Sequence, residues 1–346
     1  MNINGISTLA TNLLSQNSIS ATQTDLAKAQ NELSTGRHDD VGLVLGANVS
    51  RNLNWRVALS DTTTFLETNA QVLTKADVLQ SSFAAVKTAA GSFLDTLAGA
   101  RLSQNGQALA RSGASYAMDA VTAAINVSYA GDFLMGGQNA ATPPLASYPA
   151  SAAQAAFDAS FQSYFGFSKS APAASSITPS QMNGFLQGPF EALFQAPGWN
   201  TTFSSASDKG MENTISTNQS VDLSTSANEA PIKDLMRAMV AVQDAGIGQL
   251  NASTFQTVVD YALGKVSGAV QGIGESEARV GAAQQVVVQA DAKLTSMKSI
   301  LENEIQKTEG VDGAQAATRV NALMNQLEAN YAVTGKLAKL SLLSYL

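Results

Sequence analysis

The segment Ile273–Leu301, IGESEARVGAAQQVVVQADAKLTSMKSIL, sets Ile273, Val280, Val287, Leu294 and Leu301 at a strict seven-residue interval. Ala283, Ala290 and Met297 occupy the intermediate position, so the apolar steps alternate four and three, the pattern of a helix packing lengthwise on another helix. A matching seam runs through Leu79, Phe83, Val86, Ala90, Phe93 and Leu97. Two such seams far apart in sequence each need a partner. The spacing predicts a mainly α fold: a long coiled-coil-like helical rod formed by the N- and C-terminal halves, carrying a small inserted mixed α/β middle domain.

Working outward, residues 1–40 read as a helical arm in which Ile19, Leu26 and Leu33 keep the seven spacing, Leu9 and Leu13 extend it, and Ser34-Thr35-Gly36 closes it. Residues 41–136 form the first half of the rod, with Gly106 and Gly113 marking a break or a weak turn. The stretch 137–231 is of different composition. It holds seven of the eight prolines up to Pro197, and its only charges from Gly137 to Ala206 are Asp158, Lys169 and Glu191. Phe157, Phe161, Tyr164 and Phe165 fit one short helix, Phe185, Phe190, Phe194 and Trp199 a second cluster, and Ile215, Val221 and Leu223 short strands. This richness in aromatics predicts a folded insertion with its own core. The second half of the rod, 232–309, resumes at Ile232, Leu235, Met239 and Val242 and runs on to Gly310. The closing arm, 310–346, carries Val320, Leu323, Leu327, Tyr331, Leu337, Leu340 and Leu343.

The apolar side chains of an arm are too few to balance the conformational entropy of ordering it alone. The expectation is that both arms become ordered when neighbouring subunits cover them, pairing of the two arms within one chain being the alternative. Assembly residues are then Leu9, Leu13, Ile19, Leu26, Leu33, Val320, Leu323, Leu327, Tyr331, Leu337, Leu340 and Leu343. Packing along the rod falls to Leu79, Phe83, Val86, Phe93, Leu97, Ile273, Val280, Val287, Leu294 and Leu301.

Composition narrows the function. With 14% charged residues, 20 basic against 27 acidic and no basic block, nucleic acid is a poor partner. No apolar run approaches membrane-spanning length, and the first residues carry neither a basic leader nor a long apolar core, so no membrane partner and no cleaved secretory signal are expected. Cysteine is absent, which removes disulfides and thiolate chemistry. His38 is the sole histidine and sits in a polar connector beside Asp39-Asp40, which lack a third ligand at calcium-loop spacing. No catalytic residue, metal or cofactor is expected. Gly264, Gly268 and Gly272 share a helix face, marking either close approach of another helix or a loosened one.

Four segments carry a family resemblance. Asn31-Glu32-Leu33-Ser34-Thr35-Gly36-Arg37 resembles the L-S-T-G-[KR] signature that closes the first helix of the flagellin superfamily. Gly131-Asp132-Phe133-Leu134-Met135-Gly136-Gly137, followed by Thr142-Pro143-Pro144, is similar to the turn where that family enters its variable domain. Glu277-Ala278-Arg279-Val280-Gly281-Ala282 resembles the returning helix, and Leu340-Ser341-Leu342-Leu343 the C-terminal close. Ser226-Ala227-Asn228-Glu229-Ala230-Pro231 and the ending Ser344-Tyr345-Leu346 resemble the hook-filament junction branch more than filament flagellins. Asp39–Gly46 departs from the usual segment after the first signature. The resemblance implies a secreted, extracellular structural subunit of the bacterial flagellum that self-associates and touches a neighbouring hook-associated protein and flagellin. It also implies passage through the flagellar type III apparatus with an export chaperone on the C-terminal arm. A filament flagellin is the near alternative, and a secreted enzyme with a helical stalk the alternative of another class.

Overall fold

The computed structural model describes residues 8–149, 151–210 and 212–343, with backbone alone at 8, 9, 11 and 337–343. In chain order the helices and strands are α1 (Thr8–Thr35), α2 (Val41–Leu45), α3 (Val49–Leu102), α4 (Gly106–Ile125), β1 (Ser128–Tyr129), β2 (Asp132–Phe133), α5 (Ala152–Phe165), α6 (Pro179–Gln187), α7 (Pro189–Ala192), α8 (Gly198–Thr202), β3 (Glu212–Ser216), β4 (Gln219–Asp222), α9 (Ala230–Asp244), α10 (Ala252–Glu309) and α11 (Gly313–Leu343). The fold is mainly α, with two small antiparallel ribbons, β1–β2 and β3–β4. The chain divides into two units, one of residues 1–64 and 294–346, the other of 65–293.

In the 65–293 unit, α3 buries Val72, Ala76, Leu79, Phe83, Val86, Ala90, Phe93, Leu97 and Ala100, alternating steps of four and three without a break. On α10, Ala262, Val266, Ala269, Ile273, Val280, Ala283, Val287 and Ala290 are buried in the same rhythm. The two helices run antiparallel, joined by Asn69 Nδ2 to Asp291 Oδ1 (2.6 Å), Gln284 Nε2 to Asp77 Oδ1 (2.7 Å), Lys87 Nζ to Glu277 Oε2 (2.7 Å) and Arg101 Nε to Asp260 Oδ1 (2.9 Å). Both helices are rich in Ser and Thr, residues that compete with helical hydrogen bonding. On α3 the hydroxyls of Thr74, Thr88 and Thr96 donate to the carbonyl four residues back, satisfied within the helix.

Helix α3 ends at Leu102 and α4 folds back along it, so Gly106 marks the turn. Gly113 lies inside α4, where its missing side chain makes room for Thr96 Cγ2, 2.5 Å from the position a Cβ would take. After Asp244 the helical pattern expected to run on to Gly310 is interrupted. Gly246 adopts φ +74°, and a Cβ there would meet the Lys169 carbonyl at 2.9 Å, so α9 stops, packs on α4, and α10 starts anew at Ala252. Of the three helix-face glycines, Gly272 alone marks close approach, facing the Pro231 ring; Gly264 and Gly268 have open space.

The predicted aromatic residues do cluster. Phe157, Phe161, Phe185, Phe190, Phe194, Trp199 and Phe203 are all buried, with ring centroids 4.7 to 6.1 Å apart between neighbours. Their core is continuous with that of α3, α4, α9 and α10 rather than separate, Tyr261 of α10 packing edge-on to Phe190.

Two of the sequence motifs meet here. Ala227 N–H donates to Met135 C=O (2.9 Å) and Ser226 bridges Gly136, so the segment leaving α4 and the segment entering α9 lie together. Asn228 pins the junction. Its Oδ1 accepts from Trp199 Nε1 and Ser204 Oγ, both at 2.7 Å, while its Nδ2 donates to Ala206 C=O (2.9 Å) and Asp208 Oδ1 (2.7 Å). Glu229 follows, accepting from Ser276 Oγ (2.6 Å) and Arg279 (2.9 Å) on α10.

Replacing Asn228 by Ala strands several of these buried groups at once and is expected to cost about 3 kcal/mol. Urea unfolding followed by Trp199 fluorescence in a Trp55→Phe background measures it; an unchanged midpoint would show that Asn228 carries no such weight.

Candidate functional site

In the unit of residues 1–64 and 294–346, α1 packs antiparallel on α11. Gln23 Nε2 donates to the Tyr331 hydroxyl (2.7 Å), Asn330 Nδ2 to Thr22 Oγ1 (3.3 Å), and Arg319 lies 3.5 Å from Glu32. The arms therefore find each other inside one chain, which amends the expectation that they are ordered by neighbours alone. What the pairing buries is small: Thr22, Ala29, Ala316 and Val320. Ile19, Leu26, Leu323 and Leu327 are half-buried, whereas Leu13 (51%), Leu33 and Tyr331 (50%) are exposed. Leu14 (66% exposed), Met324 and Val333 join them. The side chains of Leu9, Leu337, Leu340 and Leu343 lie outside the described residues. Among the predicted packing positions of the long helices, Leu301 is buried, Leu294 half-buried, and the other eight are buried.

Further exposed apolar groups lie in the same unit. Leu43 (81%) and Val44 on α2, and Val49, Leu53 and Val57 at four-residue spacing on α3, all face outward, as do Met297 and Ile300 on α10. Met297, predicted to fill the seam, thus presents half its surface instead. Isolated exposed leucines are ordinary, but a run of them in one unit is the mark of a surface built to be covered.

A polar knot fixes the helix ends of this unit. Gly36 ends α1 at φ +68°, its N–H donating to Glu32 C=O (2.9 Å), the left-handed cap that the Leu-Ser-Thr-Gly motif supplies. The chain then pairs across to the end of α10: Arg37 bridges Gly310, His38 N–H donates to Glu309 C=O (2.9 Å), and Val311 N–H to Gly36 C=O (3.0 Å). The Glu309 carboxylate is wholly covered and takes a two-pronged grip from Arg56, with Arg56 Nε 2.7 Å from its Oε1 and the second guanidinium nitrogen on Oε2. Arg37 adds a longer contact at 3.7 Å, and Asn52 Nδ2 donates to Thr308 Oγ1 at 2.9 Å. The Arg56 hydrogen bonds hold the Glu309 carboxyl below the usual glutamate range, against the opposing effect of burial, and raise the guanidinium in turn. Reading the sequence missed Glu309 and Arg56. The available signal was an acid at a helix C-terminus, where the macrodipole disfavours it unless a cation is waiting.

Nothing in this geometry resembles a reaction centre. His38 is half-buried 3.6 Å from Glu32, and among the described residues no cluster of His, Asp and Glu has the make-up of a metal site. No described helix is long and apolar enough to cross a membrane. What the unit offers is a set of exposed apolar side chains on a tied frame.

Comparison with known proteins supplies a family for that frame. Residues 6–140 match the model of the bacterial flagellin N-terminal helical region, and residues 263–346 that of the bacterial flagellin C-terminal helical region. A solved Vibrio parahaemolyticus structure, assigned as a flagellar hook-associated protein, is similar in fold with a TM-score of 0.52 at 10% identity, over 76% of this chain and 97% of that one. No curated protein sequence matches significantly.

The Glu309 knot has a pH signature. A carboxyl that binds its proton less readily when folded adds stability above the ordinary glutamate range, about 4.3, and loses that contribution as pH falls through its lower folded value. Glu309→Ala is expected to cost about 1–3 kcal/mol at neutral pH. It should also flatten the acid limb of the stability profile, as read by thermal melts from neutral pH down through and below the ordinary glutamate value of about 4.3.

Proposed function

The chain belongs to the bacterial flagellin family, and from that premise we propose that it is the subunit joining flagellar hook to filament, assembling through the leucines left outside by the α1–α11 pair. That uncovered face is the observation that carries the reading. In it, residues 1–40 and 310–346 are assembly arms that pack on sister subunits, 41–136 and 232–309 make lateral contacts, and 137–231 faces solvent. Leu13, Leu33 and Tyr331 meet neighbours directly, while half-buried Ile19, Leu26, Leu323 and Leu327 both brace the hairpin and line the contact. The protein acts by geometry, adapting one tubular lattice to another, and needs no catalytic group or cofactor.

Two features support the junction reading. The segment Ser226–Pro231 resembles the junction branch, and the Vibrio structure of like fold is assigned as hook-associated. The partners are then a neighbouring hook-associated protein on one side and flagellin on the other. An exposed leucine face also favours premature association, so a chaperone covering the C-terminal arm before type III export belongs to the same proposal.

Purified chain added to hook fragments tests the reading by electron microscopy. A short, limited layer that then accepts flagellin is expected; long filaments of the chain itself would assign it as filament flagellin instead. A deletion strain should carry hooks without filaments and release flagellin to the medium. Leu13→Glu with Leu14→Glu should leave stability within about 0.5 kcal/mol, since both side chains are exposed, while abolishing layer growth.

A further inference from the structure

A segment nearly free of charge keeps three charged side chains, and one of them, Lys169, joins a second, Asp158, to a buried carboxylate outside the segment, Asp244. Lys169 Nζ lies 2.6 Å from Asp244 Oδ1 and 2.7 Å from Asp158 Oδ1. Asp244, at the end of α9, is 1% exposed, Lys169 23% and Asp158 50%. The Phe157 ring sits 5.6 Å from Nζ, and Gln154 Nε2 donates to Asp244 Oδ2 at 3.3 Å. The buried phenol of Tyr148 borders the same carboxylate and is kept protonated by its burial and by that charge.

We propose that Lys169 and Asp244 condense into an intramolecular isopeptide bond, with the Asp158 carboxylate carrying the proton. The ammonium first passes a proton across the 2.6 Å contact to Asp244. The free amine then attacks Asp244 Cγ, forming the N–C bond. Asp158 takes the surplus proton from that nitrogen and delivers it to the departing hydroxyl, the C–O bond breaks, and water leaves. One ammonium and one carboxylate become one amide and one water, no oxidant or reductant is needed, and Asp158 is restored.

Each part of the geometry has a use in that sequence. A contact of 2.6 Å between Nζ and Oδ1 keeps the nitrogen beside the same carboxyl group, and fixed placement of that kind replaces a high concentration of reactant. Gln154 donates to the carboxyl oxygen on which negative charge develops. A cavity of about 140 Å3 bordered by Lys169, Asp244, Arg111 and Gln243 receives the water. Burial of Asp244 keeps bulk water from reversing the step.

A second ionic cluster of the unit lacks these features. Arg237, Asp234, Glu191 and Lys265 form it, with Lys265 at 3.2 Å from Glu191 and 3.4 Å from Asp234, and both carboxylates about 30% exposed. Its lysine therefore has neither a closely held nor a shielded acceptor. The Lys169–Asp244 bond would tie the loop after α5 to the end of α9 across 75 residues, in a chain with no cysteine with which to build a disulfide.

Intact mass spectrometry of the purified full chain decides the matter. The mass expected is that of the sequence less one water, with proteolysis releasing a branched peptide that joins positions 169 and 244. Lys169→Arg, which keeps the cation but cannot condense, should return to the full sequence mass, and so should Asp158→Asn, which keeps the pair but loses the proton carrier. A full-mass wild-type chain whose Lys169 is acetylated on unfolding would mean an ion pair only and would overturn the proposal. A water deficit that survives in Lys169→Arg would overturn it equally, by placing the loss elsewhere.

Discussion

A long helix cannot hide an apolar stripe on its own surface, and the fold follows from that constraint. The seams of α3 and α10 run the length of the 65–293 unit, and an unpaired seam would leave a row of valines, leucines and phenylalanines in water. Burial alone does not choose between registers, because sliding one heptad along another matches apolar groups equally well. The polar rungs make that choice. Asn69, buried between the helices, donates both to Asp291 and to the Ile215 carbonyl of β3, so a slip of seven residues would strand an amide in the core. Positive design by the seams and exclusion of alternatives by Asn69 are separate jobs held by separate residues.

What could be read in the sequence was whatever depends on local period and turn chemistry. The heptads of α3 and α10, the glycine cap at Gly36, the break near Gly106 and the short strands around Ile215 and Val221 all belong to that class. Leu223, expected in a strand, falls just beyond β4. The halt at Asp244 was missed because apolar periodicity runs through it, and its cause, the approach of the Lys169 carbonyl to Gly246, comes from 77 positions away. The Asn228 and Glu309 networks were missed for the same reason. Their partners are scattered, and no spacing rule connects Trp199 to Asn228 or Arg56 to Glu309. The leucines of the arms stand between these cases: they were legible as a stripe, but which of them the pairing of α1 and α11 would cover was not.

The arms illustrate how one pair of helices serves two ends. Small residues such as Ala29 and Ala316 let α1 and α11 approach, and this leaves the larger side chains at the flanks and on the outside. Had the leucines met at the centre, the hairpin would be firmer and its outer face would have little left to offer a partner. The arrangement favours a modest intrachain contact and a greasy exterior, which suits a subunit whose stable form is the assembled one.

Because the Glu309 carboxylate has no contact with solvent, mobile ions cannot gather around it as they do around surface charges. The joint where α1, α3, α10 and α11 are tied together in the terminal unit should therefore lose less to rising salinity than the exposed pairs elsewhere on the same helices, Lys307 with Glu304 and Lys298 with Glu302.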